Sequence, residues 1–184
     1  NVRLILIKYK SELIWHVKFY MGSIMNGDYS LILRDCRIEL ENIQRWITAN
    51  PMDSNVRYLT SYAVIKASGT IENVLKRIIF DTLSDGAKDE TKNYLTKSIM
   101  DASYNPSPGQ IYKLLEKINT DWKQQFESFI HGSNQKGELK SLVELRNSFA
   151  HGSSITASIR DVVNYFNAGV WILERLCDVV EGIE

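Results

Sequence analysis

The residues from Leu142 to Ser154 read LVELRNSFAHGSS and bring an arginine, an asparagine and a histidine close together. Arg146 offers a planar fork of N–H donors that matches phosphate oxygens and always carries its charge. His151 can take up and release a proton near neutral pH. These are the groups that RNA cleavage without a metal requires, because Arg146 can neutralise charge developing on the phosphate while His151 moves a proton. Asn147 can orient His151 or bind the phosphate.

The same residues also have a purely structural interpretation. Arg146 and His151 fall in the last turn of a predicted helix, where the negative end of the helix dipole favours cations. Gly152 follows directly and is typical of the left-handed residue just past a helix end. Asn147 would then be an ordinary solvent-facing residue, and the pattern alone leaves both interpretations open.

A single motif supplies one imidazole, whereas separate acid and base roles need two groups. Two copies of the chain that face each other across a two-fold axis would provide both. The chemical interpretation therefore predicts a homodimer, and it predicts that the monomer is nearly inactive.

The composition favours one all-helical domain. The chain has 184 residues, of which 44% are hydrophobic, and only three prolines and ten glycines interrupt it, which favours long helices over a many-stranded sheet. Its 22 basic and 22 acidic residues give a net charge of zero. An RNA substrate must therefore be captured by a local surface, because there is no overall attraction to a polyanion.

Cysteines and histidines show no spacing that is typical of a metal site. Cys36 and Cys177 are far apart, and His16, His131 and His151 are scattered along the chain. We expect no metal and no cofactor, and we interpret the cysteines as reduced thiols of a cytoplasmic protein.

The first 27 residues differ from the rest of the chain. They are apolar, but charged side chains such as Arg3, Lys8 and Glu12 interrupt them too often for a membrane span. We predict that residues 1–27 are an extension outside the main fold, native or introduced by cloning. Residues 28–184 would form the helical domain, and no association with a membrane is expected.

Apolar residues recur at helical spacing along this domain. Helices are predicted over residues 28–49, 54–83, 91–102 and 111–129, then from 138 into the motif and from 156 or 158 to about 176. Within the second of these helices, the small residues Ser68 and Gly69 suggest a close approach by a neighbouring helix, with a kink as the alternative. The fold class is therefore all-α, an antiparallel bundle of about five or six helices.

The motif and its surroundings resemble the HEPN superfamily. Arg146 to His151 match its R-N-x-x-x-H signature. The stretches SYAVIKASGTIENVLKRII, LKSLVELRNSFAHGSSIT and DVVNYFNAGVWILERL resemble the branch called RiboL-PSP-HEPN or its MAE-type relatives. The resemblance extends from about Asp28 to Val180.

The resemblance implies a helical bundle that dimerises through the motif and is often a metal-independent endoribonuclease in toxin–antitoxin or antiviral abortive-infection systems. It gives Arg146 and His151 as the catalytic pair, with Asn147 and Glu72 in supporting positions, and RNA as the substrate. An antitoxin or regulatory partner is expected in such systems. For Glu72 the alternative is a surface carboxylate paired with Lys76 one helical turn away. For the whole domain the alternative is a catalytically silent HEPN module for dimerisation or partner binding.

Overall fold

The computed structural model describes residues 27–182 of the chain. Within that range it contains seven α-helices and no strand, which confirms the all-α prediction. The helices are α1 (Gly27–Ala49), α2 (Val56–Ser84), α3 (Asp89–Leu95), α4 (Pro108–Ile118), α5 (Thr120–Ile130), α6 (Asn134–Ala150) and α7 (Ile159–Val180). Helix α3 continues into a π-helical turn, Thr96–Met100. The predicted N-terminal extension lies outside the described residues apart from its last position, so its separation from the main fold stays a prediction.

Helix α1 buries the apolar stripe that its sequence pattern predicts. Leu33, Cys36, Leu40 and Ile47 are buried in the core and Ile43 is partly buried against it. Together they follow the three- and four-residue steps that keep side chains on one face of a helix. The helix ends before Asn50, where Pro51 follows and disfavours helical backbone in the preceding residue.

Helices α2 and α7 form the centre of the bundle. Helix α7 packs against α1, α2, α5 and α6, and α2 packs against α1, α6 and α7. The two helices approach closely at Gly169 of α7, where an added Cβ would lie 2.8 Å from Cδ1 of Ile71 in α2. The predicted close approach at Gly69 is wrong, because Gly69 is exposed and a Cβ there would meet nothing within 4 Å. Its neighbour Ser68 does lie in the core.

The helix that was predicted over residues 111–129 is divided into α4 and α5. Asn119 adopts an extended conformation between them, with φ −156° and ψ 117°. Its side-chain oxygen accepts hydrogen bonds from the backbone N–H groups of Asp121 and Trp122 at 2.9 and 3.3 Å. Such an N-cap stabilises a new helix by about 1 kcal/mol, and this extra break gives seven helices where about five or six were predicted.

The segment between α6 and α7 is held at both ends. After α6, the N–H of Ser153 donates to the carbonyl of Ser148 at 2.9 Å. Before α7, Ser158 and Asp161 form a reciprocal capping box, so Ser158 rather than Thr156 caps the last helix. Among the described residues, none of the helices has the length and apolar character that a membrane span needs.

Candidate active site

Arg146 lies on α6 and faces Glu72 of α2. Its Nη2 is 3.7 Å from Oε2 of Glu72, and the two side chains are 34% and 13% exposed. The carboxylate is therefore well shielded from water while the guanidinium still reaches solvent. The opposite charges favour this direction of Arg146 without enclosing it.

Glu72 is itself held by two further groups. Its Oε1 lies 3.0 Å from Nζ of Lys76 and accepts a hydrogen bond from the backbone N–H of Tyr104, also at 3.0 Å. Lys76 also donates to the carbonyl of Met100, at the end of the π-helical turn, at 3.3 Å. The expected pair with Lys76 thus exists alongside the pair with Arg146, and Glu72 is not a surface carboxylate.

Most donor groups of Arg146 stay open. Its Nη1 donates to Oδ1 of Asn147 at 3.3 Å, and the approach to Glu72 is longer than a hydrogen bond. A guanidinium has five N–H donors. No other hydrogen bond is made by the side chain of Arg146 within residues 27–182, so a phosphate can be bound in the bidentate manner that suits arginine.

His151 ends α6 and stands apart from the other three residues. It is the C-cap, with φ −93° and ψ 15°, and Gly152 follows with φ 83°. The N–H of Gly152 donates to the carbonyl of Phe149 at 2.9 Å, which together with the bond from Ser153 to Ser148 makes a Schellman motif. The predicted left-handed Gly152 is confirmed.

The imidazole of His151 is exposed, and within the described part of the chain it makes no hydrogen bond or ion pair. Five residues of ideal helix correspond to about 140° of rotation around the helix axis, so Arg146 and His151 leave α6 in different directions. The structure thus brings Glu72, Arg146 and Asn147 together and leaves His151 free. Lys76 and the N–H of Tyr104, which orient Glu72, were not predicted as parts of the site, and a backbone donor gives no signal in a sequence.

The two cysteines do not contribute to this site. Both are buried and free, and burial raises the pKa of Cys36 and raises that of Cys177 to about 12. They are therefore protonated at neutral pH and poor nucleophiles. No group of three His, Cys, Asp or Glu side chains among residues 27–182 is placed to hold a metal ion.

Comparison with known proteins gives a family for this chain. The family model described as RiboL-PSP-HEPN matches residues 32–182, which include every helix after the first turn of α1 and all four predicted site residues. No curated protein and no solved structure matches the chain. The match covers well over half of the sequence, and the chain belongs to the RiboL-PSP-HEPN family.

Proposed function

We propose that this protein is a metal-independent endoribonuclease that cleaves RNA at a site shared by two copies of the chain. The observation that carries the proposal is the environment of the Arg146 side chain. Its guanidinium is aimed by a shielded carboxylate, Glu72, yet keeps most of its donors open. An arginine placed only to end a helix needs no such partner, whereas one that must meet a phosphate benefits from being oriented in advance.

In the proposed reaction, the 2′-oxygen of a ribose attacks the adjacent phosphorus atom. His151 of one protomer accepts the proton of the 2′-hydroxyl, and His151 of the partner subunit donates a proton to the departing 5′-oxygen. The bond from phosphorus to the 2′-oxygen forms and the bond to the 5′-oxygen breaks. The products are a 2′,3′-cyclic phosphate and a free 5′-hydroxyl, while Arg146 stabilises the charge on the phosphate oxygens.

Exposed apolar side chains on α2 and α6 support the proposed dimer. Tyr58 and Ile65 lie about four and about two helical turns before Glu72 on the same face of α2. They are 60% and 40% exposed, and Phe149 on α6 is 40% exposed. Large apolar side chains at this level of exposure are suited to a protein interface. A second copy that covers Phe149 across a two-fold axis would bring its own motif close to this one, because Phe149 lies two residues before His151.

We further propose that the nuclease acts inside the cell as a toxin or an antiviral-defence effector and is restrained by an antitoxin or regulatory partner. The family membership supports this role, since the HEPN resemblance implies such systems. The exposed imidazole of His151 also supports it, because an unshielded site is one that a partner can cover.

The proposal is tested by incubating a mixed pool of tRNA and mRNA with the protein in EDTA and identifying the product ends by mass spectrometry. We expect cyclic phosphate ends from the wild type and none from His151→Ala. A chelator-sensitive reaction, or equal cleavage by the variant, would overturn the proposed mechanism. A folded, dimeric wild type that never cleaves RNA would show instead the catalytically silent module.

A further inference from the structure

A shallow cavity of about 460 Å³, wide open to solvent, lies between the start of α2 and the segment that follows the motif. It is lined by residues of both regions, namely Asp53, Ser54, Val56, Arg57, Thr60, Ile155 and Ala157. Its volume is within the range of small-molecule sites, about 300–1,000 Å³. A space of this size can hold one nucleotide unit of a longer strand.

The cavity combines apolar walls with polar groups that are not fully used. Val56, Ile155 and Ala157 provide the apolar surface. Oδ1 of Asp53 accepts the backbone N–H of Asn55 at 2.7 Å, whereas Oδ2 accepts nothing from residues 27–182. A free carboxylate oxygen is an acceptor only, so it favours ligands that present N–H or O–H donors.

Arg57 adds a positive charge to the same cavity. Its guanidinium lies 4.6 Å from the ring centroid of Tyr58 and donates to the Tyr58 hydroxyl at 2.6 Å. The remaining donors are open to a phosphate oxygen. Asp53 and Arg57 therefore provide an acceptor and a donor set in one place, which fits a nucleotide better than it fits a purely anionic or purely apolar ligand.

The cavity is close to the proposed cleavage site along the chain. Ile155 is four residues after His151, a span of at most about 14 Å. The packing of α6 and α2 also brings the cavity towards the cleavage site. The two helices run antiparallel, so that the chain leads from the Arg146–Glu72 pair towards Ile155 and Thr60, which line the cavity. A strand whose phosphate lies at Arg146 and His151 can therefore extend into the cavity within a few nucleotides.

We propose that this cavity binds one unpaired base of the RNA substrate and gives the enzyme its sequence preference. Asp53 accepts a hydrogen bond from the Watson–Crick edge of the base, the apolar walls contact its faces, and Arg57 contacts the adjoining phosphate. Guanine fits best, since its N1–H and N2–H groups lie side by side and can both face one carboxylate. This inference rests on the proposed RNA substrate, and it adds the place at which the enzyme recognises the base sequence of that RNA.

The test measures binding separately from cleavage. Fluorescence anisotropy would compare four short single-stranded RNAs in EDTA, identical except for G, A, C or U at one position of an otherwise uniform strand. The protein would carry His151→Ala, so that no RNA is cut. We expect guanine to be favoured by about tenfold and the preference to vanish in Asp53→Asn and in Ala157→Phe, which fills the cavity.

Arg57→Gln is expected to weaken the binding of all four RNAs equally, because it removes a phosphate contact and no base contact. Arg77→Ala is the matched control, since Arg77 is an exposed arginine of the same helix whose guanidinium, within residues 27–182, bonds only to Asn73. Equal binding of all four bases, no binding at all, or a preference that survives both cavity variants would overturn the inference. Cleavage in EDTA by the protein with an intact His151 would show in each case whether the proposed nuclease activity stands.

Discussion

Two helix ends in this protein carry nearly the same sequence. Helix α5 ends in Phe129-Ile130-His131-Gly132-Ser133, and α6 ends in Phe149-Ala150-His151-Gly152-Ser153. Both phenylalanines are 40% exposed, both histidines are exposed, and both glycines have positive φ, 70° and 83°. The pattern F-x-H-G-S is therefore a way to end a helix here, and it does not by itself indicate catalysis.

The two ends differ in their backbone and in the residue five positions before the histidine. His131 is extended, with φ −61° and ψ 131°, and the N–H of Ser133 donates to the carbonyl of Ile130, as in a type II turn. His151 instead has φ −93° and ψ 15°, and the helix ends there in a Schellman motif. The equivalent of Arg146 in α5 is Phe126, which is fully buried. Of these two ends, only the second has, five positions before its exposed histidine, an arginine that faces a carboxylate.

The largest expected effect separates the two histidines. His151→Ala should lower the rate of RNA cleavage by about 10²–10⁴-fold, the usual contribution of general acid–base catalysis. His131→Ala should leave the rate unchanged, since the residue five positions before it is the buried Phe126 and not an arginine. Single-turnover cleavage of one labelled RNA measures both variants. Equal losses in the two would show that the histidines act through stability or folding.

Replacement of Arg146 should be almost as severe. Arg146→Ala is expected to lower the maximal rate by about 10²–10³-fold, because the charge developing on the phosphate loses its stabilising donor. Arg146→Lys should restore little activity, since an ammonium cannot reproduce the planar fork. Steady-state kinetics would measure both variants. A lysine variant with near wild-type activity would contradict the bidentate role.

The two exposed phenylalanines test where the second copy binds. Phe149→Asp should weaken the dimer by about 30-fold, as for a residue at the centre of an interface, and activity should fall at low protein concentration. Phe129→Asp is the matched control and should change neither property. Analytical ultracentrifugation would measure the dimer affinity, and cleavage assays at a series of protein concentrations would measure the activity. A monomeric Phe149→Asp protein with full activity would contradict the proposal that the active site needs two copies of the chain.

A smaller effect is expected from the residue that orients Arg146. Glu72→Gln keeps an acceptor for the N–H of Tyr104 but removes the charge beside Arg146, and we expect the maximal rate to fall by about tenfold through misplacement of the guanidinium. The Michaelis constant should change less. Circular dichroism would confirm the fold. Loss of stability with an unchanged maximal rate would limit Glu72 to a structural role.

The smallest effect concerns the glycines that the two ends share. Gly132→Ala and Gly152→Ala should each lower the free energy of unfolding by about 1 kcal/mol, because an alanine is strained at positive φ. Chemical denaturation measures this cost. Only Gly152→Ala should also lower the cleavage rate, since it shifts the backbone that carries His151. Equal rates in both variants would show that the exact backbone at His151 does not matter.

Much of the fold could be predicted from the sequence, and the exceptions have local causes. The stripe of Leu33, Cys36 and Leu40 predicts α1 because its period is that of a helix. The sequence did not predict the break at Asn119, because the apolar spacing continues across it. Its side chain caps the N–H groups of Asp121 and Trp122 only because the local backbone is extended. Gly69 was predicted to lie at a close contact, but an added Cβ there would meet nothing within 4 Å, whereas one at Gly169 of α7 would meet Ile71.

The sequence by itself determined the helical class, the motif from Arg146 to His151 and the left-handed Gly152, since these depend on residues that are near one another along the chain. Tertiary structure alone decided that Glu72, 74 positions before Arg146, faces its guanidinium, and that Lys76 and the N–H of Tyr104 hold the carboxylate. It also decided that His151 is exposed while Phe126 is buried. Local patterns record the period of a helix, whereas the partner of a side chain depends on how helices pack.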